Sequence, residues 1–120
     1  MEPLRVACLC AQWCGVCRDW RAGFEALAAQ LPAARLLWVD VEDAADLLDG
    51  YEPENFPVLA VQRGPWLLYC AAVPQQPAVW LRLIDALAGL DADSVQLHAA
   101  RLAGQGGKWP DLRAFEEGPR

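Results

Sequence analysis

Lysine is almost missing from this 120-residue chain, which holds only Lys108, and histidine is reduced to His98. The formal net charge is −6. Nucleic-acid binders need clustered Lys and Arg to neutralise phosphates, so no nucleic-acid partner is expected. Long apolar runs are missing too. Nothing approaches the ~18 uninterrupted apolar residues of a membrane helix, so no membrane partner is expected. The start, Met1 to Arg5, lacks a basic n-region, and the apolar run Val6 to Ala11 is too short for a secretory h-region. The expected location is therefore cytoplasmic. A structural zinc site needs a full tetrahedral set of ligands, and the chain has no second pair of Cys or His at ligand spacing beyond one C-x-x-C. No metal is expected.

What is present is apolar mass, acid and sulfur. The chain is 55% hydrophobic, enough for one compact domain with a real core. Asp40, Glu42, Asp43, Asp46, Asp49, Glu52 and Glu54 follow one another with no basic residue between them. They read as a solvated face, or as a surface that selects neutral or basic partners. The five cysteines are odd in number, and Cys8, Cys10, Cys14 and Cys17 crowd within ten residues. That suits an intracellular redox site better than a secreted disulfide framework.

Residues 5–11 form an apolar run without helical period, read as a buried central strand. A helix is predicted from Cys14 to Leu31, where Trp20, Phe24, Leu27 and Leu31 make one apolar stripe that includes Cys17 and Pro32 ends the pattern. Arg18, Arg21 and Glu25 fall away from that stripe. Further on, Leu36 to Val41 reads as a strand, Asp43 to Asp49 as a short helix closed by Gly50, and Tyr51 to Phe56 as a loop. Val58 to Gln62 and Trp66 to Val73 are joined by the turn Arg63-Gly64-Pro65 and read as an antiparallel hairpin. Pro77 opens a helix that Gly89 ends. The order β-α-β-α-β-β-α predicts an α/β domain over residues 1–90, with residues 91–120 as a C-terminal helix (Asp93 to Leu102), a flexible Gly104 to Gly107 and a partly ordered tail.

Trp13-Cys14-Gly15-Val16-Cys17 stands where a strand hands over to a helix. The first helical turn has unpaired N–H groups and the positive end of the dipole, which favour an anionic sulfur. Cys14 is therefore the expected nucleophile. The C-x-x-C spacing brings Cys17 one turn deeper, within disulfide reach. Cys14 would attack a substrate disulfide, and Cys17 would displace the product thiol and leave a Cys14–Cys17 disulfide.

This segment resembles the active site of thioredoxins, usually Trp-Cys-Gly-Pro-Cys after a buried strand. Phe56-Pro57-Val58-Leu59 matches a second landmark, a proline preceded by a cis peptide bond opposite the active-site helix. The resemblance covers roughly residues 4 to 89 and implies a thioredoxin fold. In it a four-stranded mixed sheet, order 4-3-1-2, is flanked by helices and lacks the family's initial strand and helix. It also implies that Trp13, Gly15, Val16, Phe56 and Pro57 line the substrate groove. Catalysis falls to Cys14 and Cys17, with no cofactor beyond their redox-active disulfide. Three positions depart from the family. Val16 replaces the usual proline, Cys8 stands where a buried Asp usually lies beneath the second Cys, and Trp38 takes the place of a lysine near that Asp. Cys8 and Trp38 are thus candidate modulators of the site.

The remaining cysteines read as packing. Cys8 and Cys10 share one face of the strand, and Cys70 lies in the last strand, each behaving as a small buried hydrophobe. Trp20, Trp66 and Trp80 read as packing residues and His98 as an ordinary helix residue. Trp109 either folds back on the domain or anchors a partner. The expected function is thiol–disulfide exchange with client proteins that carry disulfides or thiols, a reductase or other donor supplying electrons. The alternative is a thioredoxin-fold interaction or redox-sensing module with weak general reductase activity.

Overall fold

The structure is a computed structural model that describes residues 2–48 and 50–116. Strand β1 (Leu4–Cys10) leads into helix α1 (Gly15–Ala26), then β2 (Ala34–Asp40), β3 (Val58–Arg63), β4 (Trp66–Ala72), α2 (Pro77–Ala88) and α3 (Ala92–Ala103). The sheet order is β2-β1-β3-β4, the expected order read from the other edge. β1 and β2 run parallel from Leu4↔Ala34 to Cys10↔Asp40, with α1 as the crossover that a parallel pair requires. β1 and β3 are antiparallel, as are β3 and β4. Gly64 turns that hairpin with φ 55, a left-handed conformation that favours glycine, and a Cβ there would come 2.9 Å from Glu2 Cγ.

β1 lies inside the sheet and is buried on both faces, which explains its unbroken apolar run. Val6, Cys8 and Cys10 face α1 and α2, where Cys17, Trp20, Phe24, Leu27, Trp80 and Ile84 complete one core. Trp80 is fully buried, donates its indole N–H to Pro74 O at 2.7 Å, and stacks at a tilt on Trp20 with ring centroids 5.0 Å apart.

Two helical elements are shorter than the sequence pattern suggests. α1 stops at Ala26 and tightens into a 3-10 turn, Leu27–Gln30, because the residue before Pro32 cannot stay helical; Leu31 has φ −131 and ψ 58. The helix expected over 43–49 is only a 3-10 turn at Ala45–Leu47. Asp40 Oδ1 accepts from the backbone N–H groups of Glu42 (2.9 Å) and Asp43 (3.2 Å), turning the chain locally and leaving too few residues to sustain an α-helix. Asp49, the expected end of that helix, lies outside the described residues, as do Met1 and residues 117–120 of the expected tail.

The other face of the sheet is closed largely from the C-terminal end. Leu112 and Phe115 are buried with Ala7, Leu9, Val58, Ala60 and Cys70, and Trp109 stacks on Tyr51 with centroids 5.9 Å apart. The segment expected as a partly ordered tail is therefore packed through Phe115, and Trp109 folds back on the domain. Gln62 anchors it. This buried side chain donates Nε2–H to Asp111 Oδ1 (2.7 Å) and to Gly64 O (2.8 Å), and its Oε1 accepts from the Leu112 N–H (2.8 Å). α3 lies along β4 and shields that edge of the sheet, with Val95 buried; Trp66 at the start of β4 remains exposed.

Replacing Gln62 with Ala leaves the buried Leu112 N–H unpaired and is expected to lower stability by about 2–3 kcal/mol in denaturant unfolding. The Arg113 guanidinium, with Gln62 assisting, holds the Asp111 carboxyl at about 2, below its usual 3.8. A depressed carboxyl stabilises fully above its unfolded value and loses that effect as pH falls toward the folded one. An Asp111→Asn variant should therefore show a flatter loss of stability than the parent between pH 4 and pH 2.

Candidate functional site

β1 ends at Cys10, and the chain turns through 11–14 into α1, the Cys14 N–H donating to Ala11 O at 3.0 Å. Cys14 is the N-cap residue, with extended backbone (φ −89, ψ 116), and its side chain makes no capping bond. Its sulfur is a free thiol, half-buried, at the start of a helix whose first turn contains no acid. Arg18 reaches back over this turn. Its Nη1 donates to Gln12 O at 2.7 Å, and its Nη2 lies 3.6 Å from where a Cβ on Gly15 would stand. Arg18 falls away from the inward stripe as expected, and on that outer side it lies beside the helix start. An arginine four residues after Cys14 was the available signal.

Cys17 lies on the inward stripe as expected, but its disulfide is not with Cys14. It bonds Cys10, across a Cα–Cα distance of 5.6 Å. The reason is geometric. Cys10 is the last residue of β1 on the face under α1, so the inward-pointing Cys17 meets it from above, while the N-cap Cys14 sits to the outside. The reading of Cys10 as mere packing is therefore corrected: it is disulfide-bonded. Cys8 lies beneath, with its sulfur 3.7 Å from the Cys10 sulfur. The disulfide leaves Cys10 without a proton, so Cys8 S–H is the donor. Burial pushes the Cys8 thiol far up, against a smaller opposing effect of the Trp20 side chain.

Trp38 is the register partner of Cys8 on β2, half-buried against Phe24 (centroids 5.9 Å apart) and beneath the Arg21 guanidinium at 5.3 Å. Cys70 belongs to the opposite face of the sheet and cannot join the other sulfurs; burial pushes its thiol up to about 11, partly offset by the Tyr51 hydroxyl.

Around Cys14 the surface is apolar. Trp13 is 65% and Val16 43% exposed, and the Trp13 ring meets Phe56 edge to face at 5.6 Å. Gly15 is exposed beside them. The Phe56–Pro57 peptide is cis, Pro57 is buried, and Pro57 O accepts from the Val73 N–H at 3.0 Å. Trp13 and Phe56 also line a concavity of about 400 Å³ with Glu42, Glu52 and Glu54, which brings part of the acidic run against the site.

A mixed sheet with a close cysteine pair under the N-terminus of its crossover helix is the arrangement of a thiol–disulfide oxidoreductase in general, on a thioredoxin fold. The sequence profile of the thioredoxin family matches residues 3–65, and the chain belongs to that family. Among solved structures, it is similar to the germline-specific thioredoxin Deadhead of Drosophila melanogaster, at 23% identity over 72% of this chain and 82% of that one, with a TM-score of 0.63. It resembles a poplar thioredoxin h at 20% identity over 75% and 80% of the two chains, with a TM-score of 0.65. Fasciola hepatica thioredoxin aligns at 25% identity over 71% and 81%, with a TM-score of 0.58. No curated protein sequence matches the chain. No helix among the described residues is long and apolar enough to cross a membrane.

The three free thiols differ in exposure: Cys14 is half-buried, while Cys8 and Cys70 are buried. With limiting iodoacetamide at neutral pH, Cys14 should be alkylated first, while Cys8 and Cys70 stay unlabelled until the protein unfolds. Burial also raises the Cys70 thiol to about 11, so Cys70 should resist labelling well above neutral pH while the protein stays folded. Peptide mapping that finds Cys8 or Cys70 labelled ahead of Cys14 contradicts the assignment.

Proposed function

We propose that the protein exchanges a Cys14–Cys17 dithiol for disulfides in client proteins. The observation that carries this reading is a free cysteine at the N-cap of α1 with a second cysteine buried one turn deeper on the same helix. In the reduced protein the Cys14 thiolate attacks one sulfur of a client disulfide. The client's S–S bond breaks, one client thiolate leaves, and a mixed disulfide forms. Cys17 then attacks the Cys14 sulfur, forming Cys14–Cys17 and releasing the second client thiolate. The client gains two electrons and the dithiol loses them. A reductase or a small thiol restores the dithiol, in a reducing compartment such as the cytoplasm.

Trp13, Gly15, Val16, Phe56 and Pro57 form the apolar rim that receives the client. The carboxylates of Glu42, Glu52 and Glu54 beside that rim disfavour acidic clients and favour neutral or basic ones.

One observation favours a second reading, an interaction or sensing module with weak general reductase activity. Cys8, the group beneath the buried sulfurs, is held protonated by burial and cannot take a proton from Cys17 at neutral pH. Resolution of the mixed disulfide is then slow, and the client stays attached longer. Cys8 and Trp38 modulate the site in this sense.

A Cys17→Ser variant should accumulate client mixed disulfides at Cys14, visible on non-reducing gels and absent when Cys14 is also replaced; a variant that traps nothing at Cys14 overturns the exchange mechanism. A Cys8→Asp variant, once shown to be folded, should resolve its mixed disulfide faster than the parent between pH 6 and 9. If its rate equals the parent's throughout that range, Cys8 is packing only.

A further inference from the structure

We propose that Cys10 is a third redox-active residue, an alternative partner that takes the disulfide from Cys14 and stores it inside the protein. The proposal rests on the exchange reading above and extends it. Two features carry it. Cys10 and Cys17 are joined in the structure while Cys14 is a free thiol. Cys8 lies in hydrogen-bond contact with the Cys10 sulfur, so an S–H hydrogen-bond donor stands ready to stabilise a thiolate at that position.

The step is an internal exchange with no net redox change. After a turnover the disulfide is Cys14–Cys17. The Cys10 sulfur, as thiolate, attacks the Cys17 sulfur. The Cys10–Cys17 bond forms and the Cys14–Cys17 bond breaks. The electron pair leaves on Cys14, and the proton given up by Cys10 ends on Cys14 or in solvent. Cys17 is the pivot because it alone lies between the other two, one turn from Cys14 along α1 and 5.6 Å in Cα separation from Cys10 across the strand. The direction follows from where the remaining sulfur is left. With the bond at Cys14–Cys17, the leftover sulfur is Cys10, 1% exposed and surrounded by apolar side chains. With the bond at Cys10–Cys17, it is Cys14, only half-buried, at a helix N-terminus and beside the turn that Arg18 covers.

The consequence is two modes of action. Reduced protein attacks a client and releases it, because Cys17 is available to resolve. Protein holding the Cys10–Cys17 disulfide still presents Cys14, attacks a further client disulfide and keeps that client covalently bound, because Cys17 is occupied.

The test uses the full chain, equilibrated with oxidised dithiothreitol, quenched in acid, alkylated and digested by a protease active at low pH. Cleavage after Leu9 and Trp13 places Cys10 on one peptide and Cys14 with Cys17 on another. The expected result is that the two peptides remain disulfide-linked, with the alkyl label on Cys14. In the same assay Cys14→Ser should still form a disulfide, and Cys10→Ser should move it to Cys14–Cys17. Finding in the parent chiefly Cys14–Cys17 with the label on Cys10, or no disulfide in Cys14→Ser, overturns the proposal. Circular dichroism of each variant shows whether it is folded. Failure of the parent reading is a separate event: it appears as Cys17→Ser trapping no client, whatever the peptide map shows.

Discussion

The site depends on how α1 packs across the end of β1. β1 is buried on both faces, so any side chain it presents upward must be apolar or paired, and its last residue on that face is Cys10. The stripe Cys17, Trp20 and Phe24 lies on that strand. Because Trp20 and Phe24 are locked against Trp80, α1 has little freedom to rotate. The same packing that builds the core therefore decides which sulfur lies under the helix and which remains outside it.

The sheet's two faces are closed by different means. Toward α1 and α2 the closure is large aromatic packing. On the other face the covering elements are short: Ala44 and Leu48 on either side of the 3-10 turn after β2, and residues 109–115 returning from the C-terminal side. Gln62, a buried amide with three hydrogen bonds, holds that return in place. It bonds across to Asp111 and Leu112 from within a strand that also flanks β1, so the C-terminal segment supports the sheet from which Cys8 and Cys10 project.

Much of this was legible in the chain itself. The spacing of Trp20, Phe24 and Leu27 placed α1 and its inward face, and Arg63-Gly64-Pro65 placed the hairpin. The strand order came with the resemblance to thioredoxins and holds in the structure. What was not legible depends on three-dimensional placement. Alternation along β1 puts Cys8 and Cys10 on one face, yet only the position of α1 over the strand end decides that Cys17 meets Cys10. The packing of Leu112 and Phe115 was hidden because they sit among charged residues, Gly and Pro. Its signal was Gln62, a polar residue following the apolar run Val58 to Val61, which becomes readable only when its distant partners are known.

The central claim is that Cys14 is the nucleophile in disulfide exchange. Its most direct test is the rate of insulin disulfide reduction with dithiothreitol as electron donor, compared between the parent and a folded Cys14→Ser variant. The account predicts that the parent accelerates the reaction and that the variant falls to the rate of dithiothreitol alone. A Cys14→Ser variant that retains the parent's rate contradicts it.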